Sequence, residues 1–416
     1  MTTHTQDYAK TDAWIDAHFD EQVRFLQELV RVPTDTPPGN NAPHADRLAD
    51  LLKPMGFDAE KFPVPADEVK AYGLESLTNL IVRRNYGAGK TIALNAHGDV
   101  VPPGEGWTKD PYGAEIADGK MYGRATAVSK CDMSTFTFAV RALESLGLPL
   151  KGNVELHFTY DEEYGGEKGP GWLLEKGHTK PDLMMAAGFS YQVVTAHNGC
   201  LQMEVTVHGK SGHAAVPDTG IDALQAAVQI MNALYAQNTL YKSMLSSVKG
   251  ITHPYLNIGQ IVGGTNTNVI PGRVSFKLDR RMIPEENPNE VEANIRQVIA
   301  DAATAFSAET GKPIQVNVQR LLMCHAMKPL PGNKPLVDAL CKHGTEVFGE
   351  PIPALGTPLY TDVRLYVEKG IPGVIYGAGP RTVAESNAKR ADERIDLEDL
   401  RRATKVVART LLDLLK

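Results

Sequence analysis

Apolar residues recur at spacings of three and four through Trp14, Ile15, Phe19, Val23, Leu26 and Leu29, which predicts an opening helix. Pro33 and the Pro37-Pro38-Gly39 run stop it. His44 to Leu52 reads as a second helix, ended by Pro54-Met55-Gly56. Two strand-like runs follow, Asn79 to Arg83 and Thr91 to Asn95, the second ending on His97-Gly98-Asp99. A polar loop rich in Gly and Pro extends to Gly123. Met133 to Leu148 is then apolar at helical spacing. Asn153 to Tyr160 alternates like a strand and runs into Asp161-Glu162-Glu163. Strands that alternate with helices predict an α/β domain with parallel strand pairs.

The pattern changes after residue 198. Leu201 to Val207 alternates cleanly, as a strand with one wet face does. Ile221 to Tyr235 is an amphipathic helix, Tyr255 to Ile261 and Val269 to Leu278 are strands, Asn289 to Ala305 is a helix and Pro313 to Gln319 a last strand. This β-α-β-β-α-β order is a two-layer module of the split βαβ type. It reads as an insertion, because α/β features resume with a helix at Val337 to Phe348, a short buried strand at Gly373 to Gly377 and an apolar helix at Leu397 to Leu415. The expected organisation is a discontinuous α/β domain with a mixed sheet and helices on both faces, residues 1–198 and 325–416. Residues 199–324 are expected to form the inserted domain.

Length and composition agree. A chain of 416 residues is long for one compact domain, and its 42% hydrophobic content is ample for two cores. The net charge of −7 argues against a nucleic-acid or anionic-membrane partner. No apolar stretch is long enough to span a bilayer. The first residues carry no apolar core of a secretory signal. The four cysteines, Cys131, Cys200, Cys324 and Cys341, form no CxxC pair and suit a reducing compartment. A cytoplasmic location is expected.

Two segments carry chemistry. In Asn95-Ala96-His97-Gly98-Asp99, a histidine stands just past a strand end, where α/β sheets build sites. An aspartate two residues on can accept its other ring N–H and fix the tautomer. A turn with a capped histidine would give the same residues. In Asp161-Glu162-Glu163-Tyr164-Gly165-Gly166, one carboxylate could ligate a metal while its neighbour takes a proton from water. The acidic first turn of a helix would also account for it. Cys131 beside Lys130 has the neighbour that activates a thiol; a small buried residue at a helix start is the simpler reading.

Taken together, about sixty residues apart and followed by the βαββαβ insertion, the two segments resemble the metallopeptidase superfamily of aminoacylase, acetylornithine deacetylase, succinyl-diaminopimelate desuccinylase and glutamate carboxypeptidase. Further similar segments are Gly119 to Arg124, Gly209 to His213, Asn268 to Pro271, Asp279-Arg280-Arg281, Thr361 to Arg364 and Gly377 to Pro380. The resemblance covers nearly the whole chain. It implies His97 as a metal ligand oriented by Asp99, Glu162 as general base and later acid, and Glu163 as a ligand of the other metal. It implies His213 and Asn268 at the substrate's oxyanion or carboxylate, that histidine coming from the partner subunit in dimeric members. Arg281 would hold a substrate carboxylate and Gly379 would shape the pocket beside it. The inserted domain would cover the cleft and form a homodimer.

The same resemblance exposes three departures. The superfamily's bridging aspartate falls on Val128, its next carboxylate ligand on Gly188 and its last histidine on Lys389. Of five protein ligands only His97 and Glu163 remain. Three readings follow: a single divalent metal (zinc, manganese or cobalt) held by His97, Glu163 and an unmatched donor such as Asp132, Asp161 or His197; metal-free work by Glu162 with Lys389 as a fixed charge; or a non-catalytic binder. The leading expectation is hydrolysis of a C–N bond in a small carboxylate-bearing molecule, with at most one metal per subunit. The alternatives are other C–N chemistry around Lys389, as in a deaminase, lyase or isomerase, and ligand binding alone.

Overall fold

The computed structural model describes residues 3–416, which divide into two units. Among the described residues, the first comprises residues 3–195, 329–355 and 361–416, and the second residues 196–328 with 356–360. These limits lie a few residues from those expected, and the short stretch 356–360 groups with the second unit.

An eight-stranded mixed sheet organises the first unit. Its order is Ala59–Pro63, Thr78–Asn85, Asn153–Thr159, Thr91–His97, Leu183–Ala186, Gly373–Ile375, Val193–His197 and Ala354–Thr357. Thr91–His97 runs parallel to both Asn153–Thr159 and Leu183–Ala186. It is buried along nearly its whole length, as a central parallel strand covered on both faces must be. Three long helices, Thr3–Val30, Lys130–Ser145 and Leu397–Leu415, pack on one another. The last is capped by Asp396, which accepts the N–H groups of Glu398 and Asp399, and buries Leu400, Val407 and Leu411.

The helix Lys130–Ser145 starts three residues before the apolar run that predicted it. Its first turn buries Lys130, Cys131 and Asp132, polar residues that hydrophobic periodicity passes over. The Cys131 thiol is buried and burial pushes its pKa well up, so it is a packing residue and not an activated nucleophile.

In the second unit an antiparallel sheet has the order Tyr255–Gly263, Arg273–Met282, Gly199–His208 and Gln315–Cys324. The helices Ala223–Tyr241 and Pro288–Thr310 share a core with its apolar face, built on Leu201, Met203, Val205, Ile230, Phe276, Ile295 and Phe306. Asp222 and Asn287 cap the two helices. Among the described residues no helix is long and apolar enough to cross a membrane.

Candidate active site

His97 ends its strand at the carboxyl edge of the parallel strands. The next strand leads from Thr159 through Tyr160 and Asp161 into a single turn, Glu162–Tyr164. Asp99 ties the two segments together. Its fully buried carboxylate accepts the backbone N–H of Glu162 at 3.2 Å and of Glu163 at 2.9 Å. His97 Nδ1 lies 3.0 Å from the Asp99 carbonyl oxygen and 3.3 Å from its carboxylate. The ring is thereby turned so that Nε2 faces the Glu162 carboxylate at 3.8 Å. One aspartate thus fixes both the imidazole and the turn that carries the two glutamates.

Charges in this small space set one another's state. Burial disfavours the His97 cation, but Glu162, Asp99 and Glu163 outweigh it and carry its pKa up to about 10. Glu162 moves the other way from an ordinary carboxylate. Burial raises it, Glu163 and Asp99 add to the rise, and His97 and Lys389 hold it in check. An acid held between protonated and ionised states near neutrality is suited to taking up and returning a proton.

Lys389 reaches this cluster from the far end of the chain. Its ammonium donates to Glu163 Oε2 at 2.6 Å. Desolvation lowers its pKa, but Glu163 and Glu162 more than reverse that, so it stays a cation. An amine held in this state does not act as a base or as a Schiff-base nucleophile. The loop that presents it is tightly built. Thr382 caps the short helix Val383–Ser386, Asn387 ends it with a φ of 51°, and Lys389 itself has a φ of 62°. A side chain in that left-handed region costs about 1–2 kcal/mol and persists only where the surroundings impose it.

Glu393 supplies that constraint. Its carboxylate accepts the N–H of Ala127 at 3.0 Å and of Lys389 at 3.4 Å, and pairs with Arg124 at 2.6 Å. It therefore joins the Val128 loop to the Lys389 loop. The Arg124 and Glu393 side chains are 1% and 2% exposed. Removing one partner of a buried pair strands the other charge. Glu393→Ala is expected to lower stability by about 3–5 kcal/mol in denaturant unfolding. A loss below about 1 kcal/mol would show that the pair braces nothing.

The other expected residues fall as follows. The Asp132 carboxylate is fully buried, accepts the Ala378 N–H at 2.6 Å and is pushed up by burial to about 7. It holds the backbone after the strand Gly373–Ile375. Asp161 accepts the Lys168 N–H at 2.6 Å and braces its own loop. His197 lies in the second unit with Nδ1 2.8 Å from the Asn198 carbonyl oxygen. Gly379 donates to the Gly188 carbonyl at 2.7 Å, a close backbone approach between two loops. In the second unit His213 and Asn268 are neighbours, linked by the Ala214 N–H to the Asn268 carbonyl at 3.0 Å. Arg281 pairs there with Asp279 at 2.6 Å, its guanidinium 5.4 Å from the Tyr360 ring centre.

Asp362 received no role from the sequence. It is buried, its Oδ2 has no hydrogen-bond partner among the described residues, and its pKa is well raised by burial and then by Glu162 and Asp161. Its carboxyl stands beside the glutamate turn. Gly166 leaves it room, since a Cβ there would stand 2.1 Å from Asp362 Oδ1. The segment Thr361 to Arg364 was legible as similar to the superfamily, but nothing in its spacing linked residue 362 to residues 161–166.

The description "Peptidase family M20/M25/M40" matches residues 93–413, most of the chain. The chain belongs to this family. It is 27% identical over 416 aligned residues to a succinyl-diaminopimelate desuccinylase of Hydrogenovibrio crunogenus, covering 95% of this chain and 99% of that one. Its fold is that of the dipeptidase Dug1p from Saccharomyces cerevisiae, with a TM-score of 0.78 at 15% identity over 99% of this chain and 98% of the other. It is also that of the YXEP protein of Bacillus subtilis, described as a dinuclear metal binding peptidase of the M20 family, with a TM-score of 0.67 at 18% identity over 96% and 99% of the two chains. The protein is an M20 hydrolase of amide-type C–N bonds.

Metal dependence is typical of M20 peptidases, but the donors in this chain do not fit a metal pair. Val128 and Gly188 offer no ligand atom. A side chain at 188 would meet an Ile375 methyl 2.0 Å from its Cβ. Glu163 is engaged by Lys389. Among the described residues no three His, Cys, Asp or Glu side chains converge as a metal-holding group, whereas a catalytic zinc normally takes three protein ligands.

Proposed function

We propose that this M20 hydrolase cleaves the amide bond of a small carboxylate-bearing substrate, such as an N-acyl amino acid or a dipeptide, with Glu162 as proton carrier. The observation that carries this is the Glu162 carboxylate, buried, raised from the ordinary range and fixed 3.8 Å from His97 by the Asp99 clamp. Water attacks the carbonyl carbon as its proton passes to Glu162, and the C=O electron pair moves onto oxygen. When that pair returns, the C–N bond breaks and Glu162 gives its proton to the leaving nitrogen. The products are a carboxylic acid and an amine.

His97 and Asp99 position Glu162. His213 and Asn268 are assigned to the oxyanion, and Arg281 to the substrate carboxylate, for which a guanidinium fork is suited. The desuccinylase and dipeptidase names of the relatives support this substrate class. Amine release from a panel of N-acyl amino acids and dipeptides tests the reading; a panel without turnover would refute it. The four free cysteines suit a reducing compartment, and we assign the protein to the cytoplasm.

The second unit is also assigned as a homodimer interface. Its outer strand Tyr255–Gly263 pairs on one side only among the described residues and exposes Tyr255, Ile261 and Val262. The helix Ala223–Tyr241 exposes Leu224, Val228 and Tyr235. An unpaired edge with apolar side chains is a surface that normally finds a partner. Sedimentation is expected to give twice the chain mass of 45.2 kDa, and Val262→Lys to give the monomer. A wild-type monomer at micromolar concentration would contradict the assignment.

A further inference from the structure

We propose that the Lys389 ammonium is the cation of this site, standing where M20 relatives hold metal, so that hydrolysis here proceeds without a divalent ion. This rests on the reading of Glu162 as proton carrier and adds the group that faces the negative charge developing on the carbonyl oxygen.

The three departures from the superfamily's ligand set point the same way. Val128 and Gly188 each remove a carboxylate, and Lys389 replaces a neutral donor with a positive charge. Losing the metal pair leaves surplus negative charge, and these replacements offset most of it. A random loss of ligands would carry no such direction. Geometry agrees. The Lys389 Nζ lies 2.6 Å from Glu163 Oε2, so the carboxylate that would ligate a metal is already paired. The Lys389 backbone is held in a left-handed conformation by a buried carboxylate that also anchors the loop of Val128. Restoring a side chain at 188 is blocked by Ile375, so the packing around the lost ligand has closed.

An ammonium on a fixed loop supplies one charge and hydrogen-bond donors to an oxyanion, the electrostatic part of what a metal supplies. It does not activate water. That task falls wholly to Glu162, whose carboxylate Lys389 also attracts.

The test uses the full chain without a histidine tag, dialysed against a chelator and then titrated with zinc, manganese and cobalt ions by calorimetry. Metal content is read by elemental analysis. Wild type is expected to take up no stoichiometric metal. Lys389→His, with its melting curve checked against wild type, is expected to bind zinc at least about tenfold more tightly, because a second donor then stands beside Glu163 and a competing cation is gone. One or more equivalents of metal on wild type would overturn the proposal, as would Lys389→His folding normally yet gaining no affinity. The wild-type measurement decides even if the variant does not fold. The substrate panel is run with and without chelator. Activity lost to chelator and restored by zinc overturns the proposal. A panel without any turnover refutes the hydrolytic role of Glu162, while the metal titration still decides the role of Lys389.

Discussion

Glu162→Gln is expected to lower kcat/KM by about 10²–10⁴-fold, the usual worth of a positioned general base. The amide keeps the shape and the Asp99 clamp, which acts on the backbone N–H groups and not on the side chain. It cannot take a proton, so the loss belongs in kcat, with KM little changed. The pH profile gives a second readout. The base works only when ionised, so wild-type activity rises with pH as Glu162 loses its proton. Burial, with Glu163 and Asp99, raises that pKa, so the acid limb lies above the ordinary carboxylate range. In the variant this limb disappears. A Glu162→Gln enzyme with wild-type rate and profile would remove the residue from the mechanism.

Lys389→Met is expected to lower kcat by about 10²–10³-fold, as loss of one oxyanion donor does. Methionine keeps an unbranched chain of similar reach without charge. Half of the Lys389 side chain is solvent-exposed, so the variant is expected to fold, which a melting curve checks. A lysine whose charge did not reach Glu162 would leave the pH profile alone. Here Lys389 lowers the Glu162 pKa, so its removal moves the acid limb to higher pH. Lys389→Arg retains the charge and is expected to recover part of the rate. An unchanged acid limb in Lys389→Met would show that the ammonium does not act on Glu162.

Much of this was readable from the residues. The helix Leu397–Leu415 was expected within its observed bounds because its apolar face is continuous. The βαββαβ module stood out because its central strands have one wet face. His97 with Asp99, and Glu162 with Glu163, drew notice because each pair is close in sequence and follows a strand, and the resemblance joined the two pairs. Local pattern fails where contacts join distant segments. Nothing near residue 362 says that its carboxyl is buried beside the glutamate turn. The Glu393 clamp spans the loop at Ala127 and the loop at Lys389, and its reach appears only in three dimensions. Asp132 was a reasonable candidate donor by helical spacing, but its carboxylate serves the Ala378 backbone. The short helix Ala66–Tyr72 has little apolar face and left no periodic mark.

Amide hydrolysis is proposed to run on the Glu162 carboxylate. Amine release from one panel of N-acyl amino acids and dipeptides, measured side by side for wild type and Glu162→Gln, tests it most directly. Wild type is expected to turn over at least one panel member, and the variant to lose about 100-fold or more of that rate. Equal rates for the two proteins would contradict it.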